Sequence, residues 1–190
     1  MIYRILAKIE RTCARLQGKG WGAATVKKEV DILTKIIKDP KLAIDMGANV
    51  GEYTAHLKNK FNDIEIHLFE PSNINNEKLI SRFNNDPKVV INNVAVGDKN
   101  GHGKLYSNAP GSSLASLTKR KLSGFDSFET VTIIAFENYW KERLGKRNID
   151  ILKIDVEGHE LDVLNGMGEA LSKTKVIQFE FGGCNIDTRS

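Results

Sequence analysis

The 190-residue sequence predicts an α/β fold built on a doubly wound, mostly parallel, Rossmann-like sheet, and three observations carry that prediction. From Lys41 onward, short apolar runs alternate with stretches of helical period, the rhythm of successive βαβ units. Two of the runs, Leu42-Ala-Ile44 and Ile149–Ile154, are mostly apolar, as strands covered on both faces must be. A glycine-bearing turn, Asp45-Met-Gly-Ala-Asn-Val-Gly51, follows the first run where strand should give way to helix.

In chain order, Ile2, Ile5, Leu6, Ile9, Cys13 and Leu16 recur at helical spacing among basic residues, predicting an amphipathic helix over residues 2–17. It presents either a membrane-surface or partner face, or a face packed on the protein's own core. Gly18-Lys-Gly-Trp-Gly22 breaks it, and Val26, Val30, Leu33 and Ile37 suggest a second helix ending before Pro40. Residues 1–40 thus read as a helical segment preceding one domain, 41–190. Within that domain strands are expected at Leu42–Asp45, Ile64–Phe69, Val89–Val94, Ile149–Asp155 and Val176–Phe181, with helices at Glu52–Phe61, Asn75–Phe83, Phe136–Leu144 and His159–Leu171. The second strand alternates apolar and polar residues and suits a flank of the sheet. Residues 97–130, rich in Gly and Ser, interrupt the rhythm. They read as a substrate loop on the ligand-binding side, with a hairpin near Lys104–Ser107.

Composition narrows the function classes. With 41% hydrophobic residues and no apolar run near ~18 residues, no transmembrane span is expected. Net charge is +4, but residues 1–28 hold seven Lys and Arg against Glu10 alone, so the remainder sums to −2 and lacks a nucleic-acid signature. Cys13 and Cys184 have no metal-ligand spacing and read as free thiols in a reducing cytoplasm; no export signal is recognisable.

The turn after the first strand is where a nucleotide-type ligand should sit. A dinucleotide fingerprint counted from Gly47 would need glycine at 49 and 52, where Asn49 and Glu52 stand, and no Walker A loop occurs. S-adenosylmethionine fits better, because it carries an ammonium and a sulfonium that acids attract. Asp45 can accept from the amino group, the Gly47–Gly51 backbone can approach the methionyl portion, and Glu70 at the end of strand two can hold the ribose hydroxyls.

With these motifs in place, the chain from about Lys41 to its end resembles the FkbM family of S-adenosylmethionine-dependent methyltransferases. The resemblance rests on Asp45–Thr54, Phe69-Glu-Pro71, Asn93-Val-Ala-Val-Gly-Asp98, Gly111-Ser-Ser-Leu114 and, most specifically, Leu152-Lys-Ile-Asp-Val-Glu-Gly-His-Glu-Leu161. It implies the class I methyltransferase fold. It also implies cofactor binding by Asp45, Gly47, Ala48, Asn49, Gly51, Glu70, Pro71 and Asp155, with Ala95, Val96 or Asp98 near the adenine.

The acceptor should meet the methyl group beside Asp155, Glu157 and His159, which follow the fourth strand. In-line methyl transfer needs alignment and dryness, and a hydroxyl acceptor also needs its proton removed. His159 suits that role by its ordinary pKa, with Asp155, Glu157 and Glu180 as rivals. The same trio could ligate a hard cation, but no second ligand cluster accompanies it and no metal is assigned. Isolated prolines exclude the Asn/Asp-Pro-Pro-Tyr motif of amino-group methylation, and neither cysteine follows a proline as in cytosine-C5 enzymes. A hydroxyl acceptor remains, and the resemblance implies that it belongs to a sugar, glycan or natural product; Lys119-Arg-Lys121 would favour an anionic one or is a solvated charge run.

Methyltransferases of this type usually continue into a final antiparallel hairpin, whereas the sequence stops at Ser190. The expectation is therefore that the hairpin is missing, so that the chain binds cofactor but methylates poorly, or forms a homo-oligomer through the exposed sheet edge.

Overall fold

The computed structural model describes residues 12–13, 26–120, 124–180 and 184–185. The expected helix over 2–17, the break at 18–22, Lys121 and the region of the C-terminal hairpin lie outside them, except that Thr12 and Cys13 are helical. Among the described residues the order is α1 (Val26–Ile36), β1 (Leu42–Met46), α2 (Glu52–Lys60), β2 (Glu65–Phe69), α3 (Asn73–Phe83), β3 (Val89–Asn92), β4 (Ala95–Gly97), β5 (Gly101–Ser107), β6 (Ser127–Ala135), α4 (Phe136–Glu142), β7 (Ile149–Ile154), α5 (Glu160–Gly166), a 3₁₀ turn (Gly168–Lys173) and β8 (Thr174–Phe179).

The main sheet is wholly parallel, in the order β3-β2-β1-β7-β8. Alternation along β1 sends Leu42, Ile44 and Met46 to one face, where they pack with Trp140 and Phe136 of α4 and Val163 of α5. Ala43 faces the other way, into a second core with Leu57, Leu79 and Phe83 of α2 and α3. Both faces being covered explains why β1 and β7 are buried along their whole length. α1 belongs to the second core: Val30 and Leu33 are fully buried there, and Gln178 of β8 donates to the Glu29 carbonyl at 3.2 Å.

Several expected elements differ: the last strand runs Thr174–Phe179 instead of Val176–Phe181, and the helices expected at Asn75–Phe83 and Phe136–Leu144 run Asn73–Phe83 and Phe136–Glu142. The third strand ends at Asn92 instead of Val94, because the Asn92 amide donates to the Leu68 carbonyl and the Asn93 amide to the carbonyls of Glu70 and Pro71, turning the chain off the sheet. Residues 97–130 are in part regular: β5 and β6 form an antiparallel hairpin from Gly101↔Ile133 to Ser107↔Ser127, and β4 joins its inner side in a three-stranded sheet. The helix expected over His159–Leu171 stops at Gly166 and continues as the 3₁₀ turn, with Gly168 at φ +48°. A Cβ on Gly166 would lie 1.9 Å from the Gly97 carbonyl oxygen, so this glycine lets α5 touch β4 directly.

Candidate active site

The strands β1, β2 and β7 end side by side, and their C-terminal turns contribute to one cleft. The amides of Gly47 and Ala48 both donate to the Phe69 carbonyl, at 2.9 and 3.1 Å, which bends the chain over the end of β2. Gly47 has φ +84°, and a Cβ there would stand 1.9 Å from the Asp155 carbonyl oxygen. No side chain fits between the diverging ends of β1 and β7. Asn49, at φ +50°, directs its backbone N–H to Glu70 Oε2 at 2.8 Å, while the Ser72 N–H reaches Oε1 at 2.9 Å. Glu70 is buried, and burial pushes its carboxyl up to about 7 against the opposing pull of those two N–H groups. Each oxygen keeps a lone pair for a further donor.

On the other flank, Asp155 follows β7. Burial raises its pKa against the attraction of Lys153, whose Nζ lies 3.5 Å from Asp155 Oδ2 and 3.7 Å from Glu29 Oε2. Glu157 sits at φ +55° and Gly158 at φ +99°, a tight turn held by the buried Glu160. Its carboxylate accepts from the amides of Val156 (3.1 Å) and Gly158 (3.2 and 3.3 Å), and from the Asn185 side chain. Glu157 is itself raised, first by burial and then by Asp155; the same two causes raise Glu180. Asp155, Glu157 and Glu180 therefore hold protons more tightly than free carboxylates.

Of the residues singled out in the sequence, Gly47, Asn49, Glu70, Pro71, Ala95, Val96, Asp155 and Glu157 line the cleft. Five others lie outside its lining. Asp45 is buried toward α2 and accepts from Thr54 Oγ1 at 2.7 Å, its carboxyl pushed up to about 6 by burial. Ala48 is in the α2/α3 core, and Gly51 is a contact point, since a Cβ there would meet the Phe83 ring at 2.4 Å. Asp98 is exposed in the β4–β5 turn. His159 lies behind the wall of the cleft, with Nδ1 2.7 Å from Asp162 Oδ2 and Nε2 3.0 Å from Thr118 Oγ1. Among the described residues no three His, Cys, Asp or Glu side chains are grouped to hold a metal ion.

The rest of the lining comes from residues not singled out individually. Phe69, Val94, Leu105, Ala115 and Leu117 join Ala95 and Val96 as the cleft's apolar lining, and Ser112 and Ser113 add hydroxyls. The Gly111-Ser-Ser-Leu114 stretch was the sequence signal for this wall; Leu105 and Leu117 look like ordinary hairpin residues. The cleft thus brings apolar side chains together with acids that can accept from hydroxyl and ammonium donors.

Residues 45–187 match the family described as the methyltransferase FkbM domain. Hexuronic acid methyltransferase AglP of Haloferax volcanii is 28% identical over 164 residues, covering 84% of this chain and 65% of that protein. Methyltransferase sdnD of Sordaria araneosa is 28% identical over 155 residues, covering 66% and 60%. The chain therefore spans less than two thirds of the length of these curated relatives. Among solved structures, the plantazolicin methyltransferase BpumL in complex with SAH superposes with a TM-score of 0.46 at 8% identity, over 93% of this chain and 51% of that one.

Proposed function

Because the chain belongs to the FkbM methyltransferase family, we propose that it transfers a methyl group from S-adenosylmethionine to a hydroxyl of a sugar, glycan or natural product. One observation carries the cofactor half of this reading: a buried carboxylate, Glu70, oriented by two backbone N–H groups in a cleft with an apolar lining. Adenine lies among Val94, Ala95, Val96 and Leu117, the ribose hydroxyls donate to Glu70, and the methionyl end lies along Gly47 toward Asp155. The sulfonium supplies an activated methyl group. The chain aligns the acceptor with it, excludes water and takes the acceptor's proton.

For the proton, the raised carboxyls of Asp155 and Glu157 are the cleft-lining candidates. A carboxylate held above its ordinary pKa is a stronger base once ionised, which a hydroxyl acceptor needs. His159 reaches the acceptor only if its contact with Thr118 opens. The cytoplasm is the proposed setting, in keeping with Cys13 and Cys184 being outside any disulfide.

The relative that is a hexuronic acid methyltransferase supports a saccharide acceptor, and such sugars offer both hydroxyls and a carboxylate. Incubation with methyl-labelled S-adenosylmethionine and a panel of neutral sugars, uronates and glycans, read by mass spectrometry, tests the assignment. An alkali-stable methyl ether is expected. An alkali-labile ester would move the acceptor to a carboxylate and remove the need for a base, and no transfer to any of them would set the saccharide reading aside.

A further inference from the structure

The segment 112–118 forms a wall of the cleft from outside the main sheet and its turns. Ser112, Ser113, Ala115 and Leu117 line the cleft, yet the segment lies between β5 and β6, remote in sequence from β7. It is held in place on two sides. Toward β5, Ser116 and Tyr106 exchange both backbone hydrogen bonds, at 2.8 and 3.0 Å. Toward the β7–α5 turn, the fully buried Ser116 donates its hydroxyl to the Glu157 carbonyl at 2.8 Å, and Arg120 lies 3.4 Å from the Glu157 carboxylate. Thr118 Oγ1 is 3.0 Å from His159 Nε2.

The His159 contact has a defined polarity. Asp162, an acceptor, lies 2.7 Å from Nδ1, so the ring proton belongs on Nδ1 and Nε2 is left to accept from the Thr118 hydroxyl. Asp162, His159 and Thr118 therefore form a directed chain from the first turn of α5 to the wall. A general base waiting for substrate would keep Nε2 open to the cleft, whereas here it is occupied by the wall and His159 is absent from the cleft lining.

We propose that His159 is a positioning residue: through Thr118, and oriented by Asp162, it latches the 112–118 wall against the β7–α5 turn and so fixes the side of the cleft that the acceptor meets. The inference deepens the methyltransferase reading, on which its acceptor half rests, while the latch itself depends on no ligand. Ser116 is the permanent anchor, because its partners are backbone groups. The Thr118–His159 contact is the releasable one, a single bond between two partly buried side chains.

The test pairs hydrogen exchange with kinetics on Thr118→Val, Thr118→Ser and His159→Ala. Exchange is measured on the free protein, so it reads the latch whether or not any acceptor has been found. Losing one hydrogen bond should speed exchange of the 112–118 amides about five- to tenfold in Thr118→Val and His159→Ala, while Thr118→Ser stays near wild type. With an acceptor in hand, Thr118→Val should raise its KM about five- to tenfold and leave kcat within about twofold. Unchanged exchange in Thr118→Val overturns the latch. So does a large loss of kcat in His159→Ala when Thr118→Val is kinetically silent, the signature of a base. If exchange responds as expected but no methyl transfer is ever detected, the latch stands and the proposed reaction falls.

Discussion

Glu70 joins the stability of the free protein to its affinity for ligand, with opposite signs. Its folded pKa of about 7 lies above the ordinary carboxylate value of 4.5, so the folded state holds the proton more tightly than the unfolded one. Stability from this group is complete below about pH 4.5 and is lost as pH rises through about 7; Asp45, raised to about 6, adds to the trend. A ribose hydroxyl donates best to the ionised carboxylate, so affinity should rise over the same interval. Two measurements check this. The melting temperature should fall between pH 5 and 7.5 while S-adenosylhomocysteine binds more tightly at pH 8 than at pH 6. Glu70→Gln should flatten both curves and weaken binding at pH 8 by about 1.5–3 kcal/mol.

At the scale of elements, glycines set how closely strands and helices meet around the cleft. Gly47→Ala drives a methyl into the Asp155 carbonyl, backbone against backbone, at a φ unfavourable to alanine. Gly51→Ala meets the Phe83 and Leu79 side chains, which can give way. Thermal denaturation should show Gly47→Ala losing about 3 kcal/mol or more and Gly51→Ala clearly less, with Gly166→Ala, blocked by the Gly97 carbonyl, near the former. Equal losses at 47 and 51 would contradict this ranking. β1 and β7 were legible in the sequence because they are mostly apolar on both faces, β2 by its alternation, and Glu70 because it follows β2. The end of β3 was not: it depends on side-chain amides of Asn92 and Asn93 meeting carbonyls over 20 residues earlier in the chain. Asp45 was recognisable as a polar residue near a strand end and His159 as one at a helix start. Their partners Thr54 and Thr118 were not, and those partners decide where the two side chains point.

Across the molecule, the acids gather at the C-terminal end of the sheet. Asp45, Asp155, Glu157 and Glu180 lie there, balanced in part by Lys153 and Arg120. That field suits a cationic sulfonium better than a phosphate-bearing dinucleotide. No described helix is long and apolar enough to cross a membrane. The central proposal is that the nucleoside of S-adenosylmethionine occupies the cleft between β2 and the 112–118 wall. A crystal structure with S-adenosylhomocysteine tests it most directly. The account predicts both ribose hydroxyls on Glu70, adenine among Val94, Val96 and Leu117, and the homocysteine sulfur directed toward Asp155. A nucleoside bound elsewhere, or a ribose that makes no contact with Glu70, would contradict it.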